Sequence, residues 1–559
     1  MKGCVDNSVM QDEVSSSRES TNTMGYPNCT LPQLLSATAQ RAPEATALIY
    51  FGARISYQQL LDHTNRLASG LQALGIARGD RVALLMPNCP QFVIGYFGAL
   101  RAGAIVTATS SMYTPREVIH QWNDAGVKVV IADQRLYPVI KGALPHLTTR
   151  PKVILTGPRQ YCPHSFRRLC ERLGAANASV PTMAGNPQAA FERWTEILKQ
   201  AGAPAPDGLT PADIACLQYT GGTTGTSKGA MLTHANLVIN SSQASDWLGC
   251  GQGRTEVMVA GLPFFHIYAM TCIMISSIAI AGTVIILPRF ELRAALNAVR
   301  KYHPTMYHGV PTMYVAFNNA PHVERYGFGS LRVCMSGGAP LPVEVRQKFE
   351  ALTGGKLVEG YGLTETSPVT HINPPDGSPK VGSIGLPIRD TEARIMDLET
   401  GETEVPTGEA GEIAIRGPQV MQGYWNKPNE TAHVLRNGWL YTGDVAKKDD
   451  DGYFYIVDRK KDMIIAGGYN IYPREVEEVL FECPKIKEAG VIGVPDPYRG
   501  ETVKAFVALK DGVTATAEEI MAFCRERLAP YKVPRQVVFR ESLPKSAVGK
   551  YLRRELRNL

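Results

Sequence analysis

Two kinds of segment alternate along the first part of the chain, and this alternation limits the folds open to it. Ser56-Tyr57-Gln58-Gln59 has capping-box spacing, with the Ser56 hydroxyl accepting from the backbone and Gln59 reaching back. Leu60, Leu67, Leu71 and Leu74 then recur at helical spacing, and Gly75 supplies a stop. Arg81 to Pro87 follows as a short apolar strand, and Val127–Ala132 and Lys152–Leu155 repeat the type. Helices that alternate with short apolar strands cover the faces of a sheet, so the predicted class is α/β.

After about residue 380 the texture changes to short strands between Gly and Pro turns. Gly411 to Gly417 reads as one strand, Asp449 to Gly452 as a turn, and Tyr453 to Val457 as another strand. Beyond the charged run Asp458–Asp462, Pro473 opens a helix through Leu480, and Thr502–Leu509 reads as a strand. The expected architecture is a large multi-layer N-terminal domain of α/β subdomains with a β-rich subdomain, followed by a small α+β C-terminal domain. The expected boundaries are a tail over 1–27, the large domain over 28–458 and the small one over 459–559, with the junction near 458–462. A chain of 559 residues is long enough for such a division.

Composition narrows the function classes. A net charge of +6 is small for this length, and no basic stripe with interleaved aromatics points to nucleic acid. The 11 cysteines are odd in number and form no C-x-x-C pair, so neither a zinc site nor a disulfide framework is expected, and a cytoplasmic setting is. The Ser-rich first 27 residues lack the apolar core of a secretory signal and read as a disordered tail.

One stretch suggests a membrane: Ile267 to Leu287 has no charged residue. It contains Ser276, Ser277 and Gly282, and divides into a buried helix over Ile267–Ile280, a turn at Ala281-Gly282 and a β-branched strand from Thr283. An interior α/β unit is the favoured reading; a membrane transporter is the alternative, with this one candidate span.

Three segments carry chemistry. Tyr219-Thr220-Gly221-Gly222-Thr223-Thr224-Gly225-Thr226-Ser227-Lys228-Gly229 combines glycines that let backbone approach an anion with hydroxyls and a lysine. It is a phosphate loop by composition but lacks the ending of a Walker A motif; the bland reading is a glycine turn. Glu359-Gly360-Tyr361-Gly362-Leu363-Thr364-Glu365-Thr366 offers a flat ring for a base, a hydroxyl for a phosphate and a carboxylate for Mg²⁺. Taken alone, Glu365 is more often a solvated loop carboxylate. Tyr441-Thr442-Gly443-Asp444 places a carboxylate after a tight turn, where it suits two ribose hydroxyls, although Gly-Asp turns are common.

Together with Ser336 to Leu341, Gly411 to Trp425, Asp458 to Asp462 and Leu543 to Lys550, these segments resemble the adenylate-forming superfamily of acyl-CoA synthetases, luciferases and peptide-synthetase adenylation domains. The resemblance runs from about Leu31 to the C-terminus in the family's motif order, and the last third is most similar to bacterial fatty-acyl-CoA ligases.

The resemblance implies roles. Thr220, Gly221, Gly222, Thr223, Thr224, Gly225 and Lys228 would cradle the leaving pyrophosphate. Gly338, Ala339, Pro340 and Tyr361 would sandwich the adenine, Glu359, Gly360 and Gly362 would also bind the nucleotide, and Asp444 and Arg459 would hold the ribose. Thr364 would contact the α-phosphate, and Glu365 would position Mg²⁺. Lys461 would be the hinge of a mobile C-terminal domain, Gly467 and Gly468 would line a pantetheine tunnel, and Lys550 would be the catalytic lysine. His266 would stand near the acyl carboxylate; its bland reading is a core histidine.

The implied substrates are a medium- or long-chain carboxylic acid, ATP with Mg²⁺, and coenzyme A, with no nucleic acid and a possible peripheral membrane contact. The chemistry explains the residue types. Attack of a carboxylate on the α-phosphate joins two anions, so the site needs cations: Mg²⁺, Lys228 and Lys550. An aryl (coumarate-type) CoA ligase and a fatty acyl-AMP ligase that loads a carrier protein remain alternatives, and Met270 stands where some long-chain members place an aromatic gate, which leaves gate and chain length open. A non-catalytic nucleotide-binding protein fits less well with the intact lysine, glutamate and threonine positions.

Overall fold

The computed structural model describes residues 25–163, 191–199, 204–205, 208–220, 227–251, 253–377, 379–466, 469–497, 499–545 and 551–559. Four sheets organise them.

The capping box forms as its spacing predicts. The Gln59 N–H donates to Ser56 Oγ (3.2 Å), the Ser56 N–H donates to Gln59 Oε1 (3.0 Å), and the helix runs Tyr57–Ala73. Its apolar stripe, Leu60, Leu67 and Leu71, is fully buried. The helix Pro90–Arg101 has no polar face to offer, and every residue from Pro90 to Leu100 is buried. The strand from Arg81 ends at Leu85, two residues before Pro87, which has no N–H for a ladder. In order across the sheet, seven strands run Phe191–Arg193, Lys152–Thr156, Val127–Asp133, Arg81–Leu85, Ile105–Thr109, Ile214–Thr220 and Lys228–Thr233. All neighbours are parallel except the last two, which form an antiparallel hairpin.

The second sheet has nine strands with a parallel centre: Lys356–Gly362, Val333–Ser336, Met306–Gly309, Val257–Ala260, Thr283–Ile286 and Thr46–Tyr50 lie in that order. The uncharged stretch from Ile267 enters this sheet. It is helical over 267–279, but Met270–Ile275 winds as a π-helix, a departure no hydrophobic period reveals because all six residues are buried. Thr283–Ile286 then pairs with strands on both sides. Among the described residues no helix is long and apolar enough to cross a membrane.

The third sheet is antiparallel: Glu392–Met396, Gly411–Arg416, Trp439–Lys448 and Phe454–Arg459. This is the β-rich portion, and its final strand starts and ends slightly later than the expected 453–457. The fourth sheet carries Tyr469–Ile471, Ile464–Ala466, Gly500–Leu509, Ile486–Asp496 and Gln536–Phe539, with the helix Pro473–Glu482 packed on a core of Ile464, Val476, Leu480, Val491 and Val507.

Candidate active site

The strand Lys356–Gly362 and the short helical turn Thr364–Thr366 after it form the spine of the site. Gly362 is required there by space: a Cβ would lie 1.9 Å from the Pro368 carbonyl oxygen. Beside the strand, Val333–Ser336 pairs in register, Ser336 opposite Glu359, and Gly338 turns away with φ +79°. Ala339 and Pro340 follow in this turn, and the Leu341 N–H donates to Glu359 Oε2 (3.3 Å). Burial pushes the Glu359 carboxyl up to about 7, against opposing pull from Arg474, the Leu341 N–H and Arg346.

Tyr361 reaches from the spine to the third sheet. Its hydroxyl donates to Asp444 Oδ2 (2.6 Å), and Arg459 Nε forms an ion pair with Asp444 Oδ1 (2.6 Å). Asp444 and Arg459 are register partners on adjacent strands, so the sheet itself sets this pair. Burial, then the Asp444 charge, raises the Tyr361 phenol well above its ordinary range, while Asp444 holds Arg459 firmly protonated. His371, against the Tyr361 and Phe454 rings, is buried and pushed down to about 3, so it is neutral.

Glu365 reaches the other way, to the hairpin of the seven-stranded sheet. The Tyr424 hydroxyl donates to Glu365 Oε1 (2.7 Å), and the Met421 N–H donates to the Glu365 carbonyl (2.8 Å). Thr220 and Lys228 face each other as the last and first residues of the hairpin strands. Lys228 Nζ stands 5.0 Å from the Tyr424 ring centroid and pairs with the Glu430 carboxylate. The hairpin is braced from below: the Tyr219 hydroxyl donates to Asp124 Oδ2 (2.6 Å), and the Trp425 indole donates to the Asp124 carbonyl (3.2 Å). Thr364 and Glu365 are both partly exposed, as groups that meet a ligand must be.

His266 is partly exposed and caps the helix from Ile267, with Nδ1 accepting from the Tyr268 N–H (3.3 Å); it is not a fully buried core histidine. The Gln218 amide, on the strand leading to the hairpin, donates to the neighbouring Phe265 carbonyl (2.7 Å). Met270 is fully buried within the π-helical turn.

The run Asp458–Asp462 changes attachments along its length. The Lys460 N–H donates to the Gly443 carbonyl (2.9 Å), and its ammonium pairs with Glu412 (2.9 Å). Asp462 instead accepts from Arg557 (2.9 Å), and Asp458 from the Arg474 N–H (2.6 Å) and from Arg553 (2.8 Å). Lys461 lies between them and is exposed; desolvation, then the Arg459 charge, draws its ammonium down to about 8.

Gly221, Gly222, Thr223, Thr224, Gly225, Gly467, Gly468 and Lys550, together with most of the N-terminal tail, lie outside the described residues. Lys545 and Tyr551, which flank 546–550, form an antiparallel bridge, and Lys545 pairs with Glu488. The motif reading did not single out Tyr424, Glu430 or Asp124. Tyr424 lies within the Gly411–Trp425 segment, but its partners come from other segments.

A single carboxylate, Glu365, with the Thr364 hydroxyl beside it, suits Mg²⁺, which binds through one or two protein carboxylates plus substrate phosphates and keeps several waters. Among the described residues no cluster of three or more His, Cys, Asp or Glu could hold a metal without such a substrate.

Known proteins resemble this chain in sequence and in fold. The sequence profile of the AMP-binding enzyme family matches residues 35–425, and that of the AMP-binding enzyme C-terminal domain matches 475–550. The chain is 47% identical over 534 residues to a long-chain-fatty-acid–CoA ligase of Bacillus subtilis (strain 168), covering 95% of this chain and 94% of the relative. It is 38% identical over 544 residues to a long-chain-fatty-acid–CoA ligase of Escherichia coli O6:H1, covering 94% of each. Among solved structures, ATP-bound MatB from Rhodopseudomonas palustris superposes with a TM-score of 0.82 at 30% identity, covering 95% of this chain and 99% of that one.

Proposed function

Because the chain belongs to the AMP-binding enzyme family, we propose that it is an ATP-dependent ligase that converts a medium- to long-chain fatty acid to its acyl-CoA through an acyl-adenylate, releasing AMP and pyrophosphate. The observation that carries the reading is the two-sided reach of the spine. Tyr361 joins it to Asp444 and Arg459, and Glu365 joins it to Tyr424 and Lys228. A nucleotide laid along Glu359–Glu365 would meet an aromatic ring and a carboxylate at its nucleoside end and a cation at its phosphates.

The roles follow from those positions. Gly338, Ala339, Pro340 and Tyr361 bound the adenine, with Glu359, Gly360 and Gly362 as the strand beneath it. Asp444 accepts from ribose hydroxyls, and Arg459 pairs with that carboxylate. Thr220, Lys228 and residues 221–226 hold the β- and γ-phosphates, and Thr364 donates to the α-phosphate. Mg²⁺, when bound beside Glu365, withdraws charge from the phosphates. His266 stands at the carboxylate end of the acid, and Lys550 bridges that carboxylate and the α-phosphate as negative charges converge. The fatty-acid oxygen then displaces pyrophosphate, and the CoA sulfur afterwards displaces AMP from the carbonyl; no protein nucleophile is needed.

The two half-reactions call for two arrangements of 28–458 and 459–559 about Lys461, with Gly467 and Gly468 entering the thiol's path in the second. Lys461 suits this role because Lys460 is tied to the third sheet, whereas Asp462 is tied to Arg557 near the end of the chain. The enzyme acts in the cytoplasm in this reading, where ATP and CoA are found.

The test is kcat/KM across saturated acids of increasing length and across cinnamates and benzoates. Each methylene buried in an acyl site contributes at most about 0.8 kcal/mol, so a rise over several added carbons is expected. A clear preference for aryl acids would reject the fatty-acid reading while leaving the ligase reading intact.

A further inference from the structure

Tyr424 touches both charges of the phosphate side of the site, yet no step above uses it. It belongs to a segment that lies antiparallel along Lys228–Thr233, joined by an isolated bridge between Tyr424 and Ala230. The Met231 N–H donates to the Gly423 carbonyl (2.8 Å), the Gln422 N–H to the Met231 carbonyl (3.0 Å), and the Trp425 N–H to the Gly229 carbonyl (2.8 Å). The following helix, Pro428–Val434, fixes it further, because the Tyr424 N–H donates to Thr431 Oγ1 (2.9 Å). With its backbone held on two sides, the ring has one place to go, and only 8% of the residue is exposed.

From that position the hydroxyl donates to Glu365 Oε1 (2.7 Å), and the ring face lies 5.0 Å from Lys228 Nζ. The Met421 N–H, three residues earlier, holds the Glu365 carbonyl (2.8 Å). One short segment therefore grips the backbone and the side chain of Glu365 and also supports the hairpin lysine. Among the described residues, Glu365 Oε2 accepts no hydrogen bond, which leaves that oxygen for a cation. A phenol O–H donates and so fixes one carboxylate oxygen without competing for a metal, which a lysine or arginine there would do by neutralising the carboxylate.

We propose that Tyr424 is a positioning residue that fixes Glu365 for the divalent cation through its hydroxyl and steadies Lys228 for the phosphates through its ring. The proposal rests on the reading of Glu365 as the metal-side carboxylate. It predicts that hydroxyl and ring are separable: the first governs the metal, the second the anion.

The experiment uses the full-length enzyme and Mn²⁺ as probe, with free Mn²⁺ followed by electron paramagnetic resonance in the presence of ATP. Tyr424→Phe keeps the ring and removes the hydrogen bond. Losing a hydrogen bond to a charged group should raise the Mn²⁺ concentration for half-saturation of the enzyme–ATP complex by about 10- to 100-fold. ATP binding without divalent cation should stay at the wild-type level in Tyr424→Phe and weaken in Tyr424→Leu, which lacks the ring. Wild-type Mn²⁺ binding by Tyr424→Phe overturns the proposal, as does a lowered Tm with normal Mn²⁺ binding, which would make the tyrosine merely structural. Should Tyr424→Leu fail to fold, Tyr424→Phe decides alone. Glu365→Gln is measured in parallel. If it weakens Mn²⁺ binding and Tyr424→Phe does not, the positioning role alone falls; if Glu365→Gln binds Mn²⁺ normally, the reading of Glu365 falls and takes the proposal with it.

Discussion

Asp444→Asn tests the nucleoside end of the site. Asp444 is only 4% exposed, accepts from the Tyr361 hydroxyl and pairs with Arg459 Nε, each at 2.6 Å. The amide keeps the shape and one acceptor but removes the charge, leaving Arg459 without its counter-ion. Breaking a fully buried pair costs about 3–5 kcal/mol. The Arg459 side chain is 31% exposed, so water recovers part of this, and a loss of about 1–3 kcal/mol in stability is expected. The effect on nucleotide binding is separate. A hydrogen bond to a charged acceptor is worth about 1 kcal/mol more than one to a neutral acceptor, and two ribose hydroxyls would lose that difference. About 2 kcal/mol corresponds to a roughly 30-fold rise in KM for ATP. Urea denaturation measures the first quantity and ATP–pyrophosphate exchange at varied ATP the second. An Asp444→Asn enzyme destabilised as expected but with wild-type KM for ATP would refute the ribose role and leave Asp444 as a structural counter-ion.

Three further outcomes follow from the same geometry. Glu359 has its carboxyl raised from 4.5 to about 7, so the folded state binds more protons than the unfolded state between those values; stability should fall as pH rises through that window and level off above it, and Glu359→Gln should flatten the slope in pH-dependent urea titrations. Lys461→Pro should keep ATP–pyrophosphate exchange but reduce thioester formation by about 100-fold, since misplacement of the thiol path by an ångström suffices for that; equal loss in both assays would remove the hinge role. Lys550→Ala should lower adenylation by about 10²–10³ while still converting supplied acyl-adenylate to acyl-CoA. Its control, Lys545→Ala, loses an ion pair with Glu488 in a partly exposed setting and should change stability by about 1 kcal/mol at most, with adenylation near normal.

What was legible in the sequence was local or patterned. The Ser56–Gln59 capping box, the stop at Gly75 and the division of the uncharged stretch into helix and strand depend on neighbours a few residues apart, and they form as expected. The π-helical turn over Met270–Ile275 was not legible, because a helix buried on all sides carries no periodic signal. Motif composition suggested which segments bear charge and hydroxyls, but not which side chains hold them. Tyr424 meets Glu365 across 59 positions, and Tyr361 meets Asp444 across 83. Such contacts arise from sheet order and register, which residue type alone does not encode. The pairing of Lys228 with Glu430 is of the same kind: an acid on a short surface helix looks solvated in sequence, yet the bridged segment over 421–425 leads into that helix beside the hairpin.

The central claim is that the acid is activated on the α-phosphate of ATP and then passed to CoA. The most direct measurement follows the oxygen atoms. A fatty acid labelled with heavy oxygen in both carboxylate positions is incubated with the enzyme, ATP, Mg²⁺ and CoA, and the products are analysed by mass spectrometry. The account predicts one labelled oxygen in AMP, one in the acyl-CoA carbonyl and none in pyrophosphate. Label in inorganic phosphate, with ADP as the nucleotide product, would mean attack on the γ-phosphate and would contradict the account.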